Sequence, residues 1–188
     1  DVLWCDFLME CGVLDRASFG ARNAQMEAGY QAGTVSTADF SGFYVSTLAG
    51  RAAAEWQPWR EAFLAECVAP RIPAQAHALV RRHREAGATV VLTTATNRFI
   101  TELTADLLDI EHLIATECEL DAQGRFTGRP AGVLNMREGK VARLREWLTG
   151  RGLDPDRALP DATFYSDSRN DLPLLRAVGR PIAVDPDA

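Results

Sequence analysis

The sequence contains very little lysine: 19 of its 20 basic residues are arginine, and Lys140 is the single lysine. The two side chains differ chemically, because lysine carries a compact ammonium charge whereas the guanidinium charge of arginine is planar and delocalised. Because the chain uses arginine at every other basic position, Lys140 is a candidate for a catalytic or binding role that needs an ammonium group. Chance survival of a surface lysine is the alternative.

Other absences exclude several classes of protein. No apolar run is long enough to cross a bilayer, and the first residues do not resemble a signal peptide. The net charge of −6 argues against a nucleic-acid surface, which needs clustered basic residues. Neither a G-x-S-x-G elbow nor a G-x-G-x-x-G turn occurs, which argues against a serine hydrolase and a dinucleotide-binding protein. We therefore expect a cytoplasmic protein without nucleic-acid or membrane partners.

The sequence also lacks the spacings of a zinc site or a disulfide framework, because no C-x-x-C pair occurs. The cysteines lie in apolar stretches and are predicted to be reduced thiols of the core: Cys5, Cys11, Cys67 and Cys118. The histidines lack metal-ligand spacing and are predicted to be structural or surface residues: His77, His83 and His112.

What is present fits an ordinary globular protein, with 47% hydrophobic and 24% charged residues. The first half is predicted to be entirely helical, and residues 1–86 are predicted to form one helical domain. Its five helical segments are separated mainly by glycine and proline: 1–12, 16–30, 37–48, 51–68 and 73–86.

From Gly87 the pattern changes to alternating strands and helices, which predicts a parallel α/β sheet over residues 87–188. Short apolar runs predict strands at 89–93, 112–116, 162–165 and 182–184. Helices are predicted at 98–108 and 138–149. Between them, residues 117–133 are predicted to form a β-hairpin that projects from the sheet.

The stretch FYSDSRNDLPLL, residues 164–175, places two carboxylates where a buried strand ends and a helix begins. Ligands of open parallel sheets bind at the carboxyl ends of the strands, so Asp167 and Asp171 are expected to face a site. Hard oxygen ligands suit Mg²⁺ better than zinc. The alternative is a plain strand and turn in which an aspartate caps the next helix.

Two further features are predicted at the same edge of the sheet. Thr94, Thr96 and Asn97 follow a strand and open a helix, where hydroxyls and free backbone N–H groups bind phosphate. Lys140 lies in the first turn of another predicted helix. Hydroxyl, ammonium and paired carboxylates at one edge predict a phosphoryl-transfer site, where catalysis is mostly positioning and charge neutralisation.

These segments resemble the motifs of the haloacid dehalogenase superfamily, in its phosphoserine-phosphatase-like branch, subfamily IB. VVLTTATNRF is similar to the second motif, MREGK to the third and YSDSRNDLPLL to the fourth, with HLIATE in the expected order before the hairpin. The resemblance implies a Rossmann-like parallel sheet, an all-helical cap over residues 1–86, a hairpin flap, and an α/β core over residues 87–188 whose first strand is missing.

The resemblance also implies residue roles. Thr94 would hydrogen-bond the transferring phosphoryl group, and Lys140 would neutralise its charge. Asp167 would bind Mg²⁺ with support from Asp171, and Asn170 would lie near the phosphate.

One family motif does not occur in the sequence. The nucleophile and its acid–base partner belong to a D-x-D-x-T segment on the first strand, and neither Asp1 nor Asp6 has that spacing. We expect this segment upstream of Asp1, and a degenerate relative without catalysis is the alternative. In the family this strand lies between those that end at Thr93 and Ser166, so without it the chain is expected to be less stable and prone to aggregate.

The resemblance therefore implies an Mg²⁺-dependent phosphatase for a small phosphorylated metabolite, with an aspartyl-phosphate intermediate. As given, the 188 residues are predicted to be inactive. The segment that carries a carboxylate-binding arginine in serine-phosphate-specific relatives reads SGFYVSTL here, which leaves histidinol phosphate open beside phosphoserine. Phe43 and Tyr44 in that segment are predicted to pack in the cap core. The alternatives are a phosphotransferase and a non-catalytic phosphate- or metabolite-binding protein.

Overall fold

The computed structural model describes residues 1–186, and the last two residues of the predicted core lie outside the described residues. The first half is helical, as predicted. Its helices are α1 (Val2–Glu10), α2 (Arg16–Gln31), α3 (Thr37–Val45), α4 (Ala53–Phe63) and α5 (Ala74–Glu85). Short 3₁₀ and π turns extend two of them, α3 through Ser46–Leu48 and α4 through Leu64–Val68.

Local hydrogen bonds explain where two of these helices begin. The Asp15 carboxylate accepts from the backbone N–H of Ser18 at 2.8 Å and caps α2. The Ser36 hydroxyl accepts from the backbone N–H of Asp39 at 3.1 Å and caps α3. Such caps satisfy N–H groups that have no partner inside the first turn, so the sequence sets these boundaries locally.

An aromatic core holds the helices together. Trp4 is fully buried, and its ring packs edge-on against Trp56 and Phe63 with centroid distances of 5.9 and 5.2 Å. Phe99 and Phe126 of the α/β half belong to the same buried cluster. The helical half therefore packs directly on the α/β half through a continuous apolar core, and the predicted division at residue 86 stays a prediction.

The second half alternates strands and helices, which confirms the α/β prediction. The strands are β1 (Val91–Asn97), β2 (His112–Leu120), β3 (Phe126–Ala131), β4 (Thr163–Ser166) and β5 (Arg180–Ala183). The helices are α6 (Arg98–Leu107), α7 (Glu138–Gly150), α8 (Pro155–Asp161) and α9 (Leu172–Ala177). Helix α8 was not predicted, although Asp154 caps it by accepting from Asp156 and Pro155 occupies its first turn.

The middle strand β2 pairs with two neighbouring strands. Its first residues pair with β1 in parallel, with Val91 opposite His112 and Thr93 opposite Ile114. Its last residues pair with β3 in antiparallel fashion, with Leu120 opposite Phe126. The predicted hairpin thus continues a strand of the sheet, and a bridge between Ala52 and Arg125 connects it to the helical half.

Within the described residues the strands form two separate sheets, β1-β2-β3 and β4-β5. Strands β4 and β5 are parallel, and Tyr165 lies opposite Ile182. No ladder between β1 and β4 occurs in residues 1–186. The expectation that a further strand separates them in the family fold stays a prediction.

The cysteines follow the sequence prediction with one exception. None of the four is in a disulfide, and Cys5 is buried while Cys67 and Cys118 are half-buried. The core assignment is wrong for Cys11, which is exposed because it ends α1 at the surface. In the part of the chain that the structure describes, no helix has the length and apolar character that a membrane crossing requires.

Candidate active site

A cavity of about 390 Å³ lies where β1 and β4 end, and both strands contribute to its wall. Residues 93–96 line one side and residues 164–168 the other. A larger hollow of about 710 Å³ opens at the amino ends of β1 and β2, beside Val90 and His112. We take the first cavity as the candidate site, because ligands of α/β sheets bind at the carboxyl ends of the strands.

Thr94 and Thr96 line this cavity from β1. The Thr94 hydroxyl accepts a hydrogen bond from the backbone N–H of Thr96 at 3.2 Å. Both threonines lie within β1, which extends to Asn97, so the prediction that they follow the strand is wrong. The backbone carbonyl of Thr94 accepts a hydrogen bond at 2.8 Å from the side-chain amide of Asn135. Thr94 is therefore fixed through its side chain and its backbone.

Asn97 is not among the residues that line the cavity. Its side chain is buried, and it caps α6 by accepting from the backbone N–H of Ile100 at 3.1 Å. Its amide nitrogen donates to the Asp1 carboxylate at 3.3 Å. In this structure the Asn97 side chain is thus used to begin a helix.

Lys140 and Asp171 form a buried ion pair at the base of the cavity. The Lys140 ammonium lies 2.6 Å from Oδ1 and 2.7 Å from Oδ2 of Asp171. The Ser166 hydroxyl donates to the same carboxylate at 2.7 Å. The first turn of α7 and the start of α9 bring these side chains together, and burial strengthens their attraction because little water screens it.

Asp167 and Asn170 lie on the loop between β4 and α9, and both line the cavity. Asp167 is exposed there. The side-chain oxygen of Asn170 accepts a hydrogen bond from Nε of Arg137 at 3.2 Å. The structure thus brings Thr94, Lys140, Asp167, Asn170 and Asp171 together at one cavity.

The donor set has the chemistry that Mg²⁺ prefers, since Asp167 and Asp171 offer carboxylate oxygens to the same cavity. Across residues 1–186, no group of three or more His, Cys, Asp or Glu side chains is placed to hold a metal. Two carboxylates suffice for an ion that completes its shell with water and phosphate oxygens, as Mg²⁺ does. The residues therefore fit Mg²⁺ and do not fit a closed structural zinc site.

Two residues that line or support the site were missed in the sequence. Asn135 is fully buried, and its side-chain amide donates hydrogen bonds to the backbone carbonyls of Thr94 in β1 and Ile114 in β2. Arg137 lines the cavity and contacts both Asn170 and Tyr30. In the sequence, only their position next to Lys140 in NMREGK could have indicated a role in the site, because the residues that both contact are distant in sequence.

Comparison with known proteins supports the fold and the family. A protein named histidinol-phosphatase from Neisseria meningitidis serogroup C is 36% identical over all 188 residues, which cover 84% of its length. Phosphoserine phosphatase SerB1 of Mycobacterium tuberculosis is 34% identical over 139 residues, 74% of this chain and 44% of that protein.

A crystal structure of a protein of unknown function from Bordetella pertussis matches with a TM-score of 0.92 and 40% identity, over 99% of this chain and 83% of that one. A substrate-bound phosphoserine phosphatase matches with a TM-score of 0.61 at 14% identity, over 95% and 76% of the two chains, which shows the shared fold. The sequence profile for haloacid dehalogenase-like hydrolases matches residues 1–176, and with these relatives it shows that the chain belongs to the haloacid dehalogenase-like hydrolase family.

Proposed function

We propose that the protein is an Mg²⁺-dependent phosphatase that hydrolyses a small phosphorylated metabolite. The observation that carries the proposal is the convergence of Thr94, Lys140, Asp167 and Asp171 on one cavity. A hydroxyl, an ammonium and two carboxylates are the groups that position a phosphoryl group and neutralise its charge. Relatives named as phosphatases support the same assignment.

Each side chain has a distinct part in this proposal. The hydroxyls of Thr94 and Thr96 and the amide of Asn170 bind the phosphoryl oxygens. The Lys140 ammonium stabilises the negative charge that spreads over these oxygens in the transition state. Its ion pair with Asp171 holds it in place, so little reorganisation is needed when substrate binds.

Asp167 and Asp171 are the residues that would hold Mg²⁺. When bound, the ion supplies a fixed positive charge beside the phosphoryl group and the nucleophile. Asp167 is the exposed and accessible ligand, whereas Asp171 is already oriented by Lys140 and Ser166.

The nucleophile is proposed to be the first aspartate of a D-x-D-x-T segment upstream of Asp1. It attacks phosphorus to form an aspartyl-phosphate, while the second aspartate protonates the leaving alcohol and then activates the water that releases phosphate. The 188 residues supply the phosphate-binding groups, the metal ligands and the helical cap. By themselves they are expected not to turn over substrate.

Histidinol phosphate is the first substrate to test. The 36% identical relative is named histidinol-phosphatase. The segment SGFYVSTL contains no cation for a substrate carboxylate, which disfavours phosphoserine. Phe43 and Tyr44 in this segment are buried in the aromatic core, where Phe43 stacks on Phe19 at 5.0 Å.

The test is phosphate release by the protein extended upstream of Asp1, with histidinol phosphate and phosphoserine as substrates. We expect release that EDTA abolishes and Mg²⁺ restores, and no release by the 188-residue chain. K140A is the test variant and R81A is its control. Each removes one cation, but only Lys140 lines the cavity. Binding of phosphate without hydrolysis would make the protein a binding module, and phosphorylation of an added alcohol would make it a phosphotransferase.

A further inference from the structure

Arg137 has a backbone conformation that only glycine adopts without strain. Its φ is 48° and its ψ is −123°, immediately before α7. An L side chain in such a region costs about 1–3 kcal/mol, and such residues cluster at functional sites. Arg137 is exposed, so burial of its side chain does not offset this cost.

The side chain of Arg137 joins three segments at the mouth of the cavity. Nε donates to the side-chain oxygen of Asn170 at 3.2 Å. The guanidinium carbon lies 5.7 Å from the ring centre of Tyr30, on α2. Both contacts are with residues that line the cavity. Arg137 therefore lies between the proposed phosphate-binding loop and the helical cap.

The cap side of the cavity is aromatic. Tyr30 stacks on Phe40 of α3, with ring centres 4.0 Å apart and planes inclined by 28°. Both rings line the cavity. The Tyr30 hydroxyl oxygen is buried and has no hydrogen-bond partner among residues 1–186. Buried polar atoms are nearly always paired, so an unpartnered hydroxyl on a residue that lines the cavity points to a hydrogen-bonding partner on the ligand.

We propose that Arg137 and Tyr30 determine specificity by binding the leaving group, and that they select phosphomonoesters whose alcohol carries a planar heteroaromatic ring. The inference rests on the proposed phosphatase function. Aromatic faces and a planar guanidinium stack on flat unsaturated rings, and a ring nitrogen gives the Tyr30 hydroxyl a partner. The imidazole of histidinol phosphate is such a ring.

The experiment compares kcat and KM for histidinol phosphate and phosphoserine at about pH 8, where imidazole is neutral, using the protein extended upstream of Asp1. Y30L removes the ring and Y30F removes only the hydroxyl. R137G removes the guanidinium and relieves the backbone. R81A is the matched control, because Arg81 is exposed on α5 and does not line the cavity.

We expect Y30L and R137G to raise the KM for histidinol phosphate about tenfold, the usual worth of a stacked ring or cation–π contact. The ratio of kcat/KM for the two esters should fall by the same factor, with a smaller fall in Y30F and none in R81A. R137G should melt at or above the wild-type temperature. A ratio that stays constant in both Y30L and R137G would overturn the inference.

A binding measurement separates this inference from the proposed function. If the extended protein hydrolyses neither ester, the phosphatase proposal fails. Calorimetric titration with histidinol in the presence of inorganic phosphate then tests whether Arg137 and Tyr30 bind the leaving group. Histidinol binding that Y30L and R137G weaken about tenfold supports the site. The absence of histidinol binding to the wild type, or equal binding to the variants, rejects it.

Discussion

The side-chain amide of Asn135 donates a hydrogen bond at 2.8 Å to the backbone carbonyl of Thr94. The same nitrogen donates at 2.8 Å to the carbonyl of Ile114 on β2. Two carbonyls can only accept, so they fix the orientation of the amide. The backbone N–H of Asn135 donates to the hydroxyl of Thr116 at 3.2 Å. Asn135 thus connects the loop before α7 to β1 and β2, and it positions Thr94 although it does not itself line the cavity.

This network predicts that N135A lowers both the stability and the activity of the protein. The change leaves two buried carbonyls without their donor, so the free energy of unfolding should fall by about 3 kcal/mol. The kcat of the extended protein should fall more than tenfold, because Thr94 loses its support. Urea unfolding and phosphate release measure the two effects.

The control for Asn135 is N23A. Asn23 is also buried, and its side-chain oxygen accepts from the hydroxyl of Tyr44 at 3.0 Å within the helical half. N23A should lower stability by about 1–2 kcal/mol and leave kcat within a factor of two. Equal losses of kcat in N23A and N135A would show that Asn135 has only a structural role.

The buried pair of Lys140 and Asp171 predicts a double-mutant result. The two side chains are 7% and 10% exposed, so K140M should cost about 3 kcal/mol or more by leaving an unpaired buried carboxylate. The double variant K140M/D171L should recover most of that stability, because it buries no charge. Its phosphatase activity should stay lost, since both groups are proposed to act on the phosphoryl group.

Urea unfolding of the single and double variants, combined with activity assays, measures this separation. R81A is the control, because its weak surface pair with Glu85 at 4.0 Å should be worth less than about 0.5 kcal/mol. Recovery of activity in K140M/D171L would contradict the proposed roles of both residues.

Glu117 predicts a pH dependence of stability. Burial favours a higher pKa for this carboxyl, but hydrogen bonds from Arg98 at 2.9 Å and Arg143 at 3.0 Å outweigh it and hold the pKa below its ordinary value. A carboxyl whose pKa is lower in the folded than in the unfolded protein stabilises the folded state at pH values above its unfolded-state pKa. This contribution is therefore lost as the pH falls below about 4.5.

E117Q should remove this contribution. The unfolding free energy of the variant should be lower at pH 7 and should decline less than that of the wild type between about pH 5 and pH 3. Thermal melts across this range measure the difference. E146Q, at an exposed position of α7, is the control. Parallel pH curves for E117Q and the wild type would contradict the prediction.

The thiols should differ in reactivity. Burial raises the pKa of Cys5 and of Cys118 to about 12, whereas Cys11 is exposed. Since the thiolate is the reactive form, iodoacetamide should modify Cys11 first in the native protein. Mass spectrometry after timed alkylation gives the order.

The control for the thiols is C11S, in which the fast modification should disappear. Urea should release Cys5 and Cys118 for reaction, because unfolding removes the burial that raises their pKa. Rapid alkylation of Cys5 in the native state would show that the aromatic core opens readily.

The sequence by itself determined the local elements. Helical periodicity with glycine and proline breaks predicted the helices of the first half, and short apolar runs predicted the strands close to where they occur. The boundaries of β1 were less accurate: it spans Val91–Asn97 rather than 89–93. Beyond Thr93 the register shifts and Asn97 pairs with Thr116 of β2, which extends the strand. A local pattern does not reveal which strand will be the neighbour.

The chemistry of the site was also predictable from the sequence, because Lys140, Asp167 and Asp171 each lie where a strand ends or a helix begins, and Thr94 lies in a strand that leads into α6. Only the tertiary structure decided how these groups are held. Asn135 contacts Thr94, and Arg137 contacts Tyr30, across long sequence separations. Local sequence encodes the periodicity and caps of each element, whereas such contacts depend on how strands pair and helices pack, which the whole fold sets.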